Sequence, residues 1–279
     1  MAGVPGVLMS ARSLRPDGKT MMHIRNRPYL KRAYDYLFDA GVVKLCINSS
    51  AGARSYAEWL GMNQDDFSII HNGIDFNILE SMSEGVDITT ILQENGVNDD
   101  DIVVGSVFRF VQEKRPQLWV EVMSRVISRV KGVKAIMVGD GALHDSVRRQ
   151  IEKLGMSDDI ILVGQSKHVK SWLDRFDLFL LTSMIEGLPN VLIEAQAFGV
   201  PVVSTDAGGS RDTFVDGTSG FLTMEDNADS IAEIVIEAIS NREWLNDASL
   251  ASETFAKDAF SKDKMIDRLL EIYSDLRTG

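Results

Sequence analysis

Cysteine occurs once in these 279 residues, at Cys46, so neither an intramolecular disulfide nor a cysteine-based zinc site is available. A reducing, cytoplasmic setting is expected. Long apolar runs are also missing: the longest, at 160–163 and 178–181, fall far short of the roughly 18 residues that span a bilayer, which excludes a transmembrane helix. Met1-Ala2-Gly3-Val4-Pro5 offers no basic stretch ahead of an apolar one, so no signal peptide is expected, and the chain reads as entering mid-domain. Glycine (22) and proline (6) are too few for a fibrous or disordered chain. Basic residues are scarce as well, 29 Lys and Arg against 41 Asp and Glu. The resulting net charge of -12 would repel a nucleic-acid backbone, so no nucleic-acid partner is expected. An acidic protein still binds an anion where a few cations and backbone N–H groups converge, and that is the site to look for.

What is present is a β-α rhythm. Apolar runs at 4–10, 42–48 and 67–71 predict three strands, with helical patterns between them; the second helix, over 49–60, has Ser49 as its N-cap. Three strands and two helices look incomplete as a domain. Asn72-Gly73-Ile74-Asp75 is a turn signal, and the polar segment that follows reads as a connection. Further strands are predicted at 102–108, 133–138, 160–163, 178–181, 202–204 and 220–222, and an almost wholly helical stretch at 228–275. These strands are continuous apolar runs, as a parallel sheet with both faces covered requires. The expected division is a partial N-terminal α/β segment over 1–78, a linker over 79–101 and a Rossmann-like domain over 102–279.

In such sheets ligands sit beyond the carboxyl ends of the strands. One of those loops holds Arg109, Lys114 and Arg115 just before Pro116 opens a helix, a spacing at which two cations reach one diphosphate; solvated helix-start charges are the plainer alternative. Another, Gly139-Asp140-Gly141, invites a dinucleotide-binding reading, but His144 stands where the third glycine belongs. A tight turn whose backbone approaches a ligand is the better reading. The most informative loop is Ser183-Met184-Ile185-Glu186-Gly187-Leu188-Pro189-Asn190-Val191-Leu192-Ile193-Glu194-Ala195. Here Gly187 to Asn190 bring backbone N–H groups to a helix start where an anion can sit, flanked by Glu186 and Glu194. The alternative is an ordinary helix with acidic residues near its start.

Glu186 and Glu194 with seven residues between them, Phe198 to Ser204, Ala207-Gly208-Gly209 and Asp216 to Leu222 together resemble family 4 of the retaining glycosyltransferases. The likeness covers residue 72 to about residue 277. It implies a GT-B fold, two Rossmann-like α/β domains facing across a cleft, with the C-terminal one holding the nucleotide sugar. It also implies residue roles: Arg109 and Lys114 on the diphosphate, Glu194 on the ribose, and Glu186, as the catalytic candidate, with the backbone of Gly187, Leu188, Pro189 and Asn190 on the donor sugar and phosphate. No cofactor or metal is expected beyond the donor, a UDP-sugar, and Asp99 to Asp101 reads as a solvated turn. His23 and His71 carry no assigned role, and the glycine-rich acceptor loop and polar catalytic residue of a full N-terminal domain are not visible.

The expected activity is transfer of a sugar from a nucleotide-diphosphate sugar to a polysaccharide or lipid-linked acceptor, at the inner face of the cell membrane if the basic stretch from Arg25 to Arg32 touches lipid. The alternatives are a non-catalytic nucleotide-sugar-binding module and a nucleotide-sugar epimerase of related fold.

Overall fold

A computed structural model describes residues 7–10, 32, 36, 43–81 and 88–278. Strands β1 (Val7–Ser10), β2 (Val43–Ile47) and β3 (Phe67–Ile69) form a parallel sheet in the order β1-β2-β3. Helix α1 (Ser50–Leu60) joins β2 to β3. As the sequence predicts, Ser49 caps it, its hydroxyl accepting the Gly52 N–H at 3.2 Å, and Gly61 ends it in the left-handed region. Its buried face, Ala53, Tyr56, Ala57 and Leu60, packs on Leu45, Ile47 and Phe67 to make a small core. The predicted strand start at 4–6, the helical pattern after it, His23 and the basic residues of 25–31 lie outside the described residues, while Arg32 is exposed.

Helices α2 (Phe76–Ser81) and α3 (Thr89–Glu94) lie in the connection to a second, larger sheet. That sheet contains β4 (Ile102–Val107), β5 (Val133–Val138), β6 (Ile160–Gly164), β7 (Leu178–Leu181), β8 (Val202–Thr205) and β9 (Gly220–Thr223), all pairings parallel, in the order β6-β5-β4-β7-β8-β9. Helices α4 (Pro116–Arg129), α5 (His144–Leu154), α6 (Val169–Leu173) and α7 (Asn190–Ala197) make the crossovers between successive strands up to β8. They cover the sheet, which is why β7 and β8 are buried at every residue and read as unbroken apolar runs. The chain winds outward through β5 and β6, then returns to place β7 on the other side of β4. A crevice therefore opens beyond the carboxyl ends of β4 and β7, where the winding reverses.

Helices α8 (Ala228–Ser240), α9 (Arg242–Ala259) and α10 (Lys262–Thr278) complete the chain. The end of α9 returns to the turn at 72–75: the Ile74 N–H donates to the Phe260 carbonyl at 2.8 Å and the Lys262 N–H to the Ile74 carbonyl at 3.0 Å. Gly73 is required there, because a Cβ would lie 2.8 Å from the Met265 Cβ.

Two local constraints set the crevice. Gly105, in the middle of β4, leaves room for the ring of Phe176, which a Cβ would approach to 2.2 Å. Arg115, immediately before Pro116, is the one non-glycine residue with positive φ (50°) among the described residues. Its side chain holds it there. Nε donates to the Thr182 carbonyl at 2.7 Å, one terminal nitrogen donates to the Ser183 carbonyl at 3.1 Å, and the other pairs with Asp226 at 2.5 Å. Thr182 returns its hydroxyl to the Lys114 carbonyl at 3.2 Å, and the Met184 N–H reaches the Glu113 carbonyl at 2.8 Å. The loops after β4 and β7 are thus fastened together.

Gly105→Ala should destabilise the chain by about 1–3 kcal/mol through overpacking against Phe176, a fall in Tm of several degrees by thermal scanning; an unchanged Tm would show that the ring has room to move. Arg115→Ala should cost about 1.5–3 kcal/mol for the charged hydrogen bonds it removes. Arg115→Gly should be milder by about 1 kcal/mol, since glycine accepts the left-handed backbone freely. Equal denaturation midpoints for the two Arg115 variants would contradict the strain.

Candidate functional site

The fastening by Arg115 leaves its neighbour Lys114 directed at the loop after β7, where its Nζ pairs with Glu186 Oε1. Both side chains are largely buried, 14% exposed for Lys114 and 7% for Glu186. Two opposite charges largely out of water at the switch point of the sheet hold each other in place.

Immediately beyond Glu186 the chain enters α7. The N–H groups of Gly187 and Leu188 donate to no backbone carbonyl among the described residues, and Pro189, at the N-cap, supplies no side-chain cap. The start of α7 is therefore a set of open donors with the positive end of a short helix behind it. Leu188 anchors the turn by burying its side chain against Ile193, Ala197, Ala256 and Phe260. Asn190 is exposed, and its side chain is engaged by the turn after β3: Asn72 donates to Asn190 Oδ1 at 2.7 Å, and Asn48 donates to Asn72 Oδ1 at 3.2 Å. Glu194 lies on the second turn of α7 without a hydrogen-bond or ion-pair partner among the described residues, and burial pushes its carboxyl above the usual carboxylate range.

Arg109 lies elsewhere on the same loop. It is exposed on the rim of an open depression of about 480 Å³ with Phe108, Gly139, Gly141, Gln165 and Ser166. The structure thus joins Lys114 to Glu186 directly, while Arg109 lines the depression over the ends of β4 and β5. The glycines of that depression serve the approach of backbone to backbone. A Cβ on Gly139 would sit 1.9 Å from the Phe108 carbonyl oxygen and one on Gly141 2.6 Å from that of Phe110, while His144 stacks on the Phe110 ring. Asp101 accepts the Asn98 N–H at 2.8 Å, so the Asp-x-Asp at 99–101 closes an exposed turn.

Across from Glu186 stands the start of α1. Ser49, Gly52 and Tyr56 on one wall and Met184, Glu186 and Gly187 on the other enclose a cleft of about 270 Å³ between the two sheets. The segment Gly208–Asp212 braces both walls. A Cβ on Gly208 would lie 2.4 Å from the Glu186 carbonyl oxygen, and one on Gly209 1.7 Å from that of Gly187 and 2.9 Å from the Ser49 Cβ. Sequence reasoning missed Arg115 as a clamp and Asp212, Ser50 and Asn72 as bridging residues. Arg115 and Asn72 stood in motifs the sequence singles out and Ser50 follows the Ser49 cap, but nothing in the sequence pointed to these partners or to Asp212.

The descriptive model of glycosyl transferases group 1 matches residues 87–255. The Vi polysaccharide biosynthesis protein VipC/TviE of Salmonella typhi is 32% identical over 274 residues, 95% of this chain and 46% of that protein. The N-acetyl-alpha-D-glucosaminyl L-malate synthase of Bacillus anthracis is 25% identical over 211 residues, 76% of this chain and 54% of that protein. The chain thus spans about half the length of these two relatives. Among solved structures, Anabaena Alr3699/HepE in complex with UDP superposes with a TM-score of 0.79 at 22% identity, covering 97% of this chain and 72% of that one. A glycosyltransferase from Rickettsia africae does so with a TM-score of 0.80 at 18% identity, covering 96% and 70%. These likenesses show the GT-B architecture that the sequence predicts. With a family match over 87–255 and 32% identity across 95% of its length, the chain belongs to the group 1 glycosyl transferases.

Proposed function

We propose that this chain carries the donor site of a retaining glycosyltransferase, which binds a UDP-sugar beyond β4 and β7 and transfers the sugar to a polysaccharide or lipid-linked acceptor. The observation that carries this reading is the buried Lys114–Glu186 pair beside the open amides of Gly187 and Leu188, at the point where the sheet reverses its winding. Breaking the bond between sugar and diphosphate builds negative charge on the leaving group. Donors fixed before the reaction stabilise that charge more than they stabilise the bound substrate.

In this reading the diphosphate enters between Lys114 and the start of α7. Lys114 turns from Glu186 to phosphate, and Glu186, released, accepts a hydrogen bond from a donor-sugar hydroxyl. Arg109 supplies the second cation from the other end of its loop. Glu194, unpartnered and half-way along α7, accepts from the ribose hydroxyls. The leaving-group charge is then met by side chains and amides, so no metal or other cofactor enters the proposal. The relatives support the reading in kind: HepE was solved with UDP, and VipC/TviE is named for polysaccharide biosynthesis. Among the described residues no helix is long and apolar enough to cross a membrane. With a lipid-linked acceptor the enzyme works at the cytoplasmic face of the membrane.

Calorimetric titration with UDP tests the site. Lys114→Ala should weaken binding by about 10- to 100-fold, the worth of one charge-assisted contact of roughly 1.5–3 kcal/mol. Affinity equal to wild type would remove the diphosphate from this loop. The Glu194 carboxyl, raised by burial, makes a pH prediction. A carboxyl whose folded pKa lies above its unfolded one costs stability once ionised, and the cost is absent below the unfolded value of about 4.3. Glu194→Gln should therefore raise Tm at pH 8, and the gain should vanish near pH 4. A gain independent of pH would show that charge is not its cause.

A further inference from the structure

The cleft has two walls carried by different sheets, and one carboxylate joins them. Asp212 lies in the turn Gly208–Asp212, whose glycines touch the backbone of Glu186 and Gly187. Its side chain crosses to the other wall, where Oδ2 accepts the Ser50 N–H at 2.5 Å and Oδ1 accepts the Ser50 hydroxyl at 2.5 Å. His71 Nε2 stands 3.6 Å from Oδ2. The Asp212 side chain is only 12% exposed.

The contact suits both partners. Ser50 is the first residue of α1, whose opening N–H groups have no acceptor within the helix, and a carboxylate there also meets the positive end of the helix dipole. Burial alone would raise the Asp212 carboxyl, but the neighbouring His71 side chain and the hydrogen bonds from Ser50 outweigh it and hold the carboxyl below its ordinary range.

We propose that Asp212 is a positioning residue of the transfer site, holding the start of α1, with Ser49, Gly52 and Tyr56, at a set spacing from the Glu186 loop. The proposal rests on the donor-site reading, because it gives that spacing a use: the wall formed by α1 closes over whatever is bound at Glu186. Asn72 donating to Asn190 ties the same two bodies at a second point. Neither bridge touches Lys114 or Arg109. Asp212 therefore governs the geometry between the walls and leaves the diphosphate contacts alone.

The test measures the spacing directly in the full chain, by the distance distribution between spin labels on Glu58→Cys of α1 and Glu237→Cys of α8. Both positions are exposed, and the native Cys46 is buried. The parent protein should give one narrow distance. Asp212→Ala should lose it, adding a longer population, with UDP affinity unchanged. Asp212→Asn should restore it, since an amide can accept the Ser50 N–H and donate to the Ser50 hydroxyl. Ser50→Pro repeats the test from the other side. It deletes both donors at a helix position that proline favours, behind a Ser49 that is already extended at φ -154°, ψ 153°. It should broaden the distance as Asp212→Ala does. A narrow parental distance in both Asp212→Ala and Ser50→Pro would overturn the proposal, as would broadening in Asp212→Asn equal to that in Asp212→Ala. Failure of the parent to bind UDP would instead sink the donor-site reading, because the label distances need no ligand.

Discussion

The guanidinium of Arg115, spread over the carbonyls of Thr182 and Ser183, is the contact on which the donor side of the molecule depends. The last residues of β7 and the loop after β4 come from strands that are neighbours in the sheet and far apart in the chain, and nothing in a parallel ladder ties such loops together. Arg115 does so while adopting a backbone conformation that disfavours side chains, a cost of order 1–3 kcal/mol that only charged hydrogen bonds of this kind offset. With the loops fastened, Lys114 reaches Glu186 on the loop after β7.

That pair sets a balance at the heart of the site. A lysine left alone in the crevice would lose its hydration without compensation, and Glu186 without Lys114 would do the same. Each holds the other in place. In the proposed donor site a diphosphate would compete for Lys114 with more charge and more acceptor oxygens than one carboxylate offers, helped by the amides of Gly187 and Leu188.

The larger sheet was legible because its physics is local: a run such as Leu178 to Leu181 is apolar throughout, so both its faces must be covered, and helices between strands then enforce parallel pairing. Ser49 was legible as a cap for the same reason, since a cap acts within three residues. The candidate site was legible in its parts. Lys114, Glu186, Gly187 and Leu188 could be singled out as residue types on strand-end loops, and the fold brings them to one place. The site's bracing was not. Arg115 and Lys114 are adjacent cations, and no pattern says which one turns inward. Asp212 and Ser50 are 162 residues apart, and nothing in either neighbourhood announces the other.

Sequence alone determined the fold class, the order of strands and helices, and the loops on which chemistry would have to sit, because hydrophobic periodicity and turn chemistry act over a few residues. Only the tertiary structure decided the partners: that Arg115 is a clamp and Lys114 pairs with Glu186, that Arg109 lines a depression over β4 and β5, that Asn190 meets Asn72, and that Asp212 spans the cleft. Such choices depend on which carbonyls and carboxylates come within about 3 Å in space, and that distance is set by packing between elements and not by spacing along the chain.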